Sequence, residues 1–80
     1  MTREAVFEEL TKIFWDVFDD EDIELTDATT ADDIEDWDSL EQINLIVACE
    51  KKFSVKFDMA EIQKLKNVGE MVDTILAKVN

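Results

Sequence analysis

No histidine occurs anywhere in this sequence of 80 residues, and cysteine and glycine occur once each. Each shortage removes a class of function. A serine hydroxyl becomes a catalytic nucleophile only when a base takes its proton, and the usual base is histidine. A single cysteine, Cys49, allows no internal disulfide, and without histidine the chain lacks the Cys/His sets that hold structural zinc. The one glycine, Gly69, falls inside a helix-start pattern, so no glycine-rich loop is available to cradle a phosphate or an oxyanion. No apolar run approaches the roughly 20 residues that a membrane span needs. The opening "MTREAVFEEL" has neither the basic region nor the apolar core of a secretory signal. The expectation is one small cytoplasmic domain over residues 1–80: reduced, monomeric, non-enzymatic and without a metal site.

Bases are scarce as well. Eight Lys and Arg stand against 21 Asp and Glu, a net charge of −13. That balance works against nucleic acid and anionic membranes as partners and favours basic protein surfaces. The acids concentrate in "DDEDIELTDATTADDIEDWD", residues 19–38. Calcium does not explain this stretch, because an EF-hand loop turns on a glycine at its sixth position and there is none here. Nor does paired-carboxylate catalysis, since pKa values are perturbed by burial and these acids lie in the most polar part of the chain.

What is present is helical periodicity. Val6, Phe7, Leu10, Ile13, Phe14, Val17 and Phe18 follow the i, i+3, i+4, i+7 rhythm of one helix face, with Thr2 placed to cap it. Trp15 lies off this stripe, and either tucks under the following loop or meets a partner. Ile23, Leu25, Ile34 and Trp37 are spaced through the acidic loop, which suggests that it is pinned to the core. A second helix is expected from Ser39 to about Phe53, capped by Asp38. Leu40, Ile43, Ile46, Val47 and Phe53 form its apolar face, widened by Leu45 and Cys49, with Glu41, Asn44, Ala48, Lys51 and Lys52 towards water. Cys49 reads as a small core residue. Asp58 and Glu61 have capping-box spacing for a brief third helix through about Leu65, and Asn67 and Glu70 repeat the device. Val68, Met71, Val72, Ile75, Leu76 and Val79 make the stripe of the last helix. The fold class is therefore all-α: a small antiparallel four-helix bundle, three main helices plus a short third, with a long loop between helices one and two.

The question left open is the serine in "WDSL", a hydroxyl at the start of the most apolar helix with no base to activate it. As an isolated tripeptide "DSL" is no more than a helix start. Set after a long acidic loop and an amphipathic first helix, and before a short third and an amphipathic fourth, it resembles the acyl carrier protein family, including the related peptidyl and D-alanyl carriers. The resemblance covers nearly all of the chain, and "DSL" is its specific element. It implies that Ser39 carries 4'-phosphopantetheine, attached from coenzyme A by a phosphopantetheinyl transferase, and that the arm's thiol holds acyl or aminoacyl groups as thioesters. It further implies that Asp38 is read by the transferase and that Leu40 anchors the helix start in the core. Ile43, Val47 and Leu65 are implied to line the path of the arm and its cargo; ordinary core packing is the plainer reading of each.

Two departures from the fatty-acid carriers stand out. Asp36 occupies the position three before the serine where those carriers have glycine, and Lys51 and Lys52 interrupt the acids of the second helix. Because charge patterns both recruit and exclude partners, the sign change suggests a specialised biosynthetic pathway rather than housekeeping fatty-acid synthesis. Trp37, Glu41, Asn44, Ala48, Lys51 and Lys52 are the expected partner contacts. The partners themselves would be a loading enzyme (an adenylating ligase or an acyltransferase) and a downstream synthase or transferase. The competing reading is an unmodified acidic helical adaptor that binds a basic protein. Either way the charge repels itself, so added salt or magnesium is expected to raise the melting temperature; thermal melts across an ionic-strength series check this, and a flat response would count against it.

Overall fold

The computed structural model describes residues 1–79. Four helices follow one another along the chain: α1 (Arg3–Phe18), α2 (Ser39–Phe53), α3 (Met59–Lys64) and α4 (Val68–Val79). A single 3-10 turn at Ala31–Asp33 interrupts the long α1–α2 loop, and there is no strand among the described residues. The all-α bundle and its helix order match the expectation, and α3 stops one residue short of Leu65, which caps it.

Polar side chains start the helices. Thr2 accepts from the Ala5 N–H (3.1 Å) at α1, Asp38 from the Glu41 N–H (2.9 Å) at α2, and Asp58 from the Glu61 N–H (2.7 Å) at α3. Glu61 returns the bond by accepting from the Asp58 N–H at 3.0 Å, which completes the capping box. With glycine so rare, α1 and α2 end on other residues: Asp19 and Ser54 take the left-handed conformation at φ 52° and 55°.

The core forms where α1 meets α2 and α4. Val6, Leu10 and Phe14 of α1, Leu45 and Cys49 of α2, and Val68, Val72 and Ile75 of α4 have no exposed surface. Burial raises the Cys49 thiol to about 12, with a smaller push from the neighbouring Glu50 carboxylate. The helix wheel of α2 needs correction. The buried set is Leu45, Ile46, Cys49 and Phe53, whereas Leu40, Ile43 and Val47 are 66%, 58% and 42% exposed. Ala48, expected in water, is instead half-buried against the core. The physical reason is that α2 carries two apolar stripes and α1 covers only one. The stripe of residues 40, 43 and 47 stays exposed; of the three, Ile43 lines a cleft with Ile62 of α3, a six-residue helix with no buried side chain.

The long loop is pinned, as its spaced apolar residues suggested. Ile23, Leu25, Ile34 and Trp37 pack against the core, and Trp15 folds under the loop to donate its indole N–H to the Ile23 carbonyl (2.8 Å). The firmest attachment is to the start of α4. A helix leaves its first N–H groups without internal acceptors, and here the loop supplies them: Val68 donates to the Thr29 carbonyl (2.9 Å) and Gly69 to the Asp27 carbonyl (3.0 Å). Asn67 Oδ1 accepts from the Glu70 N–H at 2.8 Å. Arg3 then ties α1 to both, through Asp27 (2.7 Å) and Asp73 of α4 (2.8 Å).

This contact explains the lone glycine. A Cβ on Gly69 would lie 2.9 Å from the Asp27 carbonyl oxygen and 3.1 Å from the Asp27 Cβ. Alanine would gain about 1 kcal/mol of helix propensity but incur about 1–3 kcal/mol of overpacking. Gly69→Ala is therefore expected to lower stability by about 1 kcal/mol, a fall in Tm of roughly 4–8 °C for a domain of this size. A thermal melt decides it; an unchanged or raised Tm would show that the loop yields.

Candidate functional site

Ser39 is the first residue of α2, and its environment follows from Asp38. Because the Asp38 carboxylate takes the capping bond, Ser39 is not needed as a cap and stays exposed. Beside it opens a cleft of about 460 Å³ lined by Ala31, Trp37, Asp38, Ser39, Gln42, Ile43, Ile62 and Leu65. Three elements meet there: the end of the long loop, the first turns of α2, and the last turn of α3 with its cap. Apart from Asp38, Ser39 and Gln42, the walls are apolar.

Trp37 is held from three sides. Its ring packs edge-on against buried Phe14, with centroids 5.1 Å apart and planes at 82°, and lies 6.5 Å from Phe18. Its backbone N–H donates to the Ile34 carbonyl (3.1 Å), and its indole N–H to Gln42 Oε1 (2.7 Å). The sequence pointed to Trp37 as a partner contact; it sits half-buried as the rear wall of the cleft.

The other expected site residues divide. Ile43 and Leu65 line the cleft together with Ser39, while Val47 lies outside it. Leu40 does not anchor the helix start in the core: two-thirds of it is exposed, because the turn of α2 that reaches the core begins only at Leu45. Glu41 and Asn44 bond to each other, the Asn44 amide donating to Glu41 Oε1 at 2.8 Å. Lys51 is exposed, but Lys52 turns to α1 and meets Glu9 at 3.1 Å, which holds the Glu9 carboxyl below its ordinary range. The reading of the sequence missed Ala31, Gln42 and Ile62. Gln42 follows Ser39 by three residues, which places the two side by side on a helix; Ile62 was hidden in a helix too short to show a period.

Comparison with known proteins agrees with this geometry. A family model described as a phosphopantetheine attachment site matches residues 6–75. The chain is 37% identical over 81 aligned positions to an acyl carrier protein of Petrotoga mobilis, covering all of this chain and 94% of that one. It is 33% identical over 76 positions to an acyl carrier protein of Coprothermobacter proteolyticus, covering 94% and 92%. The solution structure of a holo acyl carrier protein from Geobacter metallireducens superposes with a TM-score of 0.88 at 49% identity, over 92% of this chain and 85% of that one. The chain belongs to the phosphopantetheine-attachment family, within the acyl carrier proteins. It is a carrier rather than an enzyme and bears 4'-phosphopantetheine covalently.

The corrected α2 surface has a measurable consequence. Leu40→Ala is expected to change unfolding free energy by no more than about 0.5 kcal/mol, as for an exposed site. Leu45→Ala should cost about 2–5 kcal/mol. Denaturant unfolding of the two variants tests the assignment, and similar losses in both would return Leu40 to the core.

Proposed function

We propose that Ser39 is the attachment point and that the arm carries acyl or aminoacyl groups for a specialised biosynthetic pathway. The observation that carries this reading is an exposed serine at the mouth of α2, freed from capping by Asp38 and opening onto an apolar cleft. The residues fit the group. A phosphodiester on Ser39 meets the positive end of the α2 dipole, and the cleft offers apolar walls to the first part of a flexible chain. When bound, the group supplies a thiol that holds cargo as a thioester. The protein's own residues anchor, shield and present it.

The presenting surface is the exposed apolar stripe of α2. Leu40, Ile43 and Val47 offer apolar contact beside the attachment point, with Asp38 and Glu41 as the acids a transferase or loading enzyme would read. Lys51 adds an exposed cation at the far end of the same helix. Asp36 in place of a glycine and this cation support a dedicated loading enzyme, an adenylating ligase or acyltransferase, followed by a synthase or transferase, over the fatty-acid set. Dependence on coenzyme A as donor supports a cytoplasmic setting. Among the described residues no helix is long and apolar enough to cross a membrane.

Incubation with coenzyme A and a broad-specificity phosphopantetheinyl transferase is expected to add one phosphopantetheine to the intact mass, and Ser39→Ala to add none. A wild-type protein left unmodified under conditions that modify a control carrier would favour the unmodified adaptor instead.

A further inference from the structure

The contact between Trp37 and Gln42 fixes more than the tryptophan. An indole N–H can only donate, so the atom that meets it at 2.7 Å must be the carbonyl oxygen of the Gln42 amide. That settles the orientation of the amide and turns its NH₂ group away from Trp37. Gln42 lines the cleft, and its Nε2 has no protein acceptor among the described residues. Beyond Asp38 and Ser39 at its mouth, the cleft wall thus holds one oriented polar group, a donor three residues from Ser39 on the same helix face.

A phosphopantetheine arm has a complementary order of groups. One CH₂ beyond the phosphate comes a carbon bearing two methyls, then a hydroxyl and an amide, with the second amide and the thiol further out. Tethered at Ser39, only the proximal part can reach Gln42. We propose, on the reading that Ser39 bears the arm, that Gln42 is a positioning residue. Its Nε2–H donates to the first carbonyl of the arm, which can only accept, while the Trp37 ring backs the two methyls. The Trp37–Gln42 bond is what aims the donor. The arm therefore leaves the protein in one preferred direction, with its inner half against the cleft and its thiol half free.

The Gln42→Glu variant isolates this role, because a carboxylate still accepts from the Trp37 indole but cannot donate to the arm. In isotope-labelled holo protein, nuclear Overhauser contacts are expected between the arm's methyls and the Trp37 ring. The Gln42 side-chain NH₂ signals should also shift between apo and holo forms. In holo Gln42→Glu the Trp37 indole signal should stay in place while the arm contacts are lost. Arm contacts of full strength in Gln42→Glu, or none in the wild type, would overturn the proposal. The intact mass is measured on the same samples. Failure to gain phosphopantetheine would instead refute attachment at Ser39, so the two readings fail separately.

Discussion

At the start of α4 two backbone N–H groups reach across to the carbonyls of Thr29 and Asp27, and the placement of the functional site follows from that contact. A loop carrying eleven acids and no base between residues 19 and 38 has every electrostatic reason to leave the surface. It stays because helix ends leave donors unsatisfied, and each bond made there contributes about 0.5–1.5 kcal/mol. Arg3, the only arginine, adds a cation shared between the loop and α4. With its middle held, the loop delivers Ile34 and Trp37 onto the core beside Phe14 and Phe18. Asp38 is then in place to begin α2, and the serine after it is presented outward.

The same economy shapes the other side of the site. α3 has six residues, buries no side chain, and is tied to α4 by the pair between Glu61 and Lys78 at 2.8 Å. That bond, aided by the Asp58 N–H, keeps the Glu61 carboxyl below its ordinary range. Lys78 also sits 5.3 Å over the Phe57 ring, closing the base of the helix. Of the exposed α2 residues, Ile43 shares the cleft with Ile62 of α3. A helix this short leaves an open cleft beside Ser39, so accessibility of the cleft is tied to helix length.

Much of this was legible in the residues. The caps at Thr2, Asp38, Asp58 and Asn67 were readable because capping is local: a side chain two or three residues away decides it. The inward stripes of α1 and α4 were readable because each helix has one apolar face. α2 was misread because it has two, and periodicity alone does not say which neighbour covers which. Trp37 and Gln42 were not seen as a pair because their bond joins a loop to a helix, and no sequence rule gives the angle between them. Gly69 looked like an ordinary member of a capping pattern; its reason lies forty-two residues away at Asp27.

Cys49 has a practical consequence. Its sulfur is fully enclosed and holds its proton to a pH of about 12, so in the folded protein it is both out of reach and in the unreactive form. The only sulfhydryl available for acylation or exchange on the carrier with an empty arm is then the one it has borrowed. Cargo cannot be mislaid onto the protein's own sulfur, and a thiol-counting reagent applied without denaturant reads the fraction of molecules that carry an empty arm.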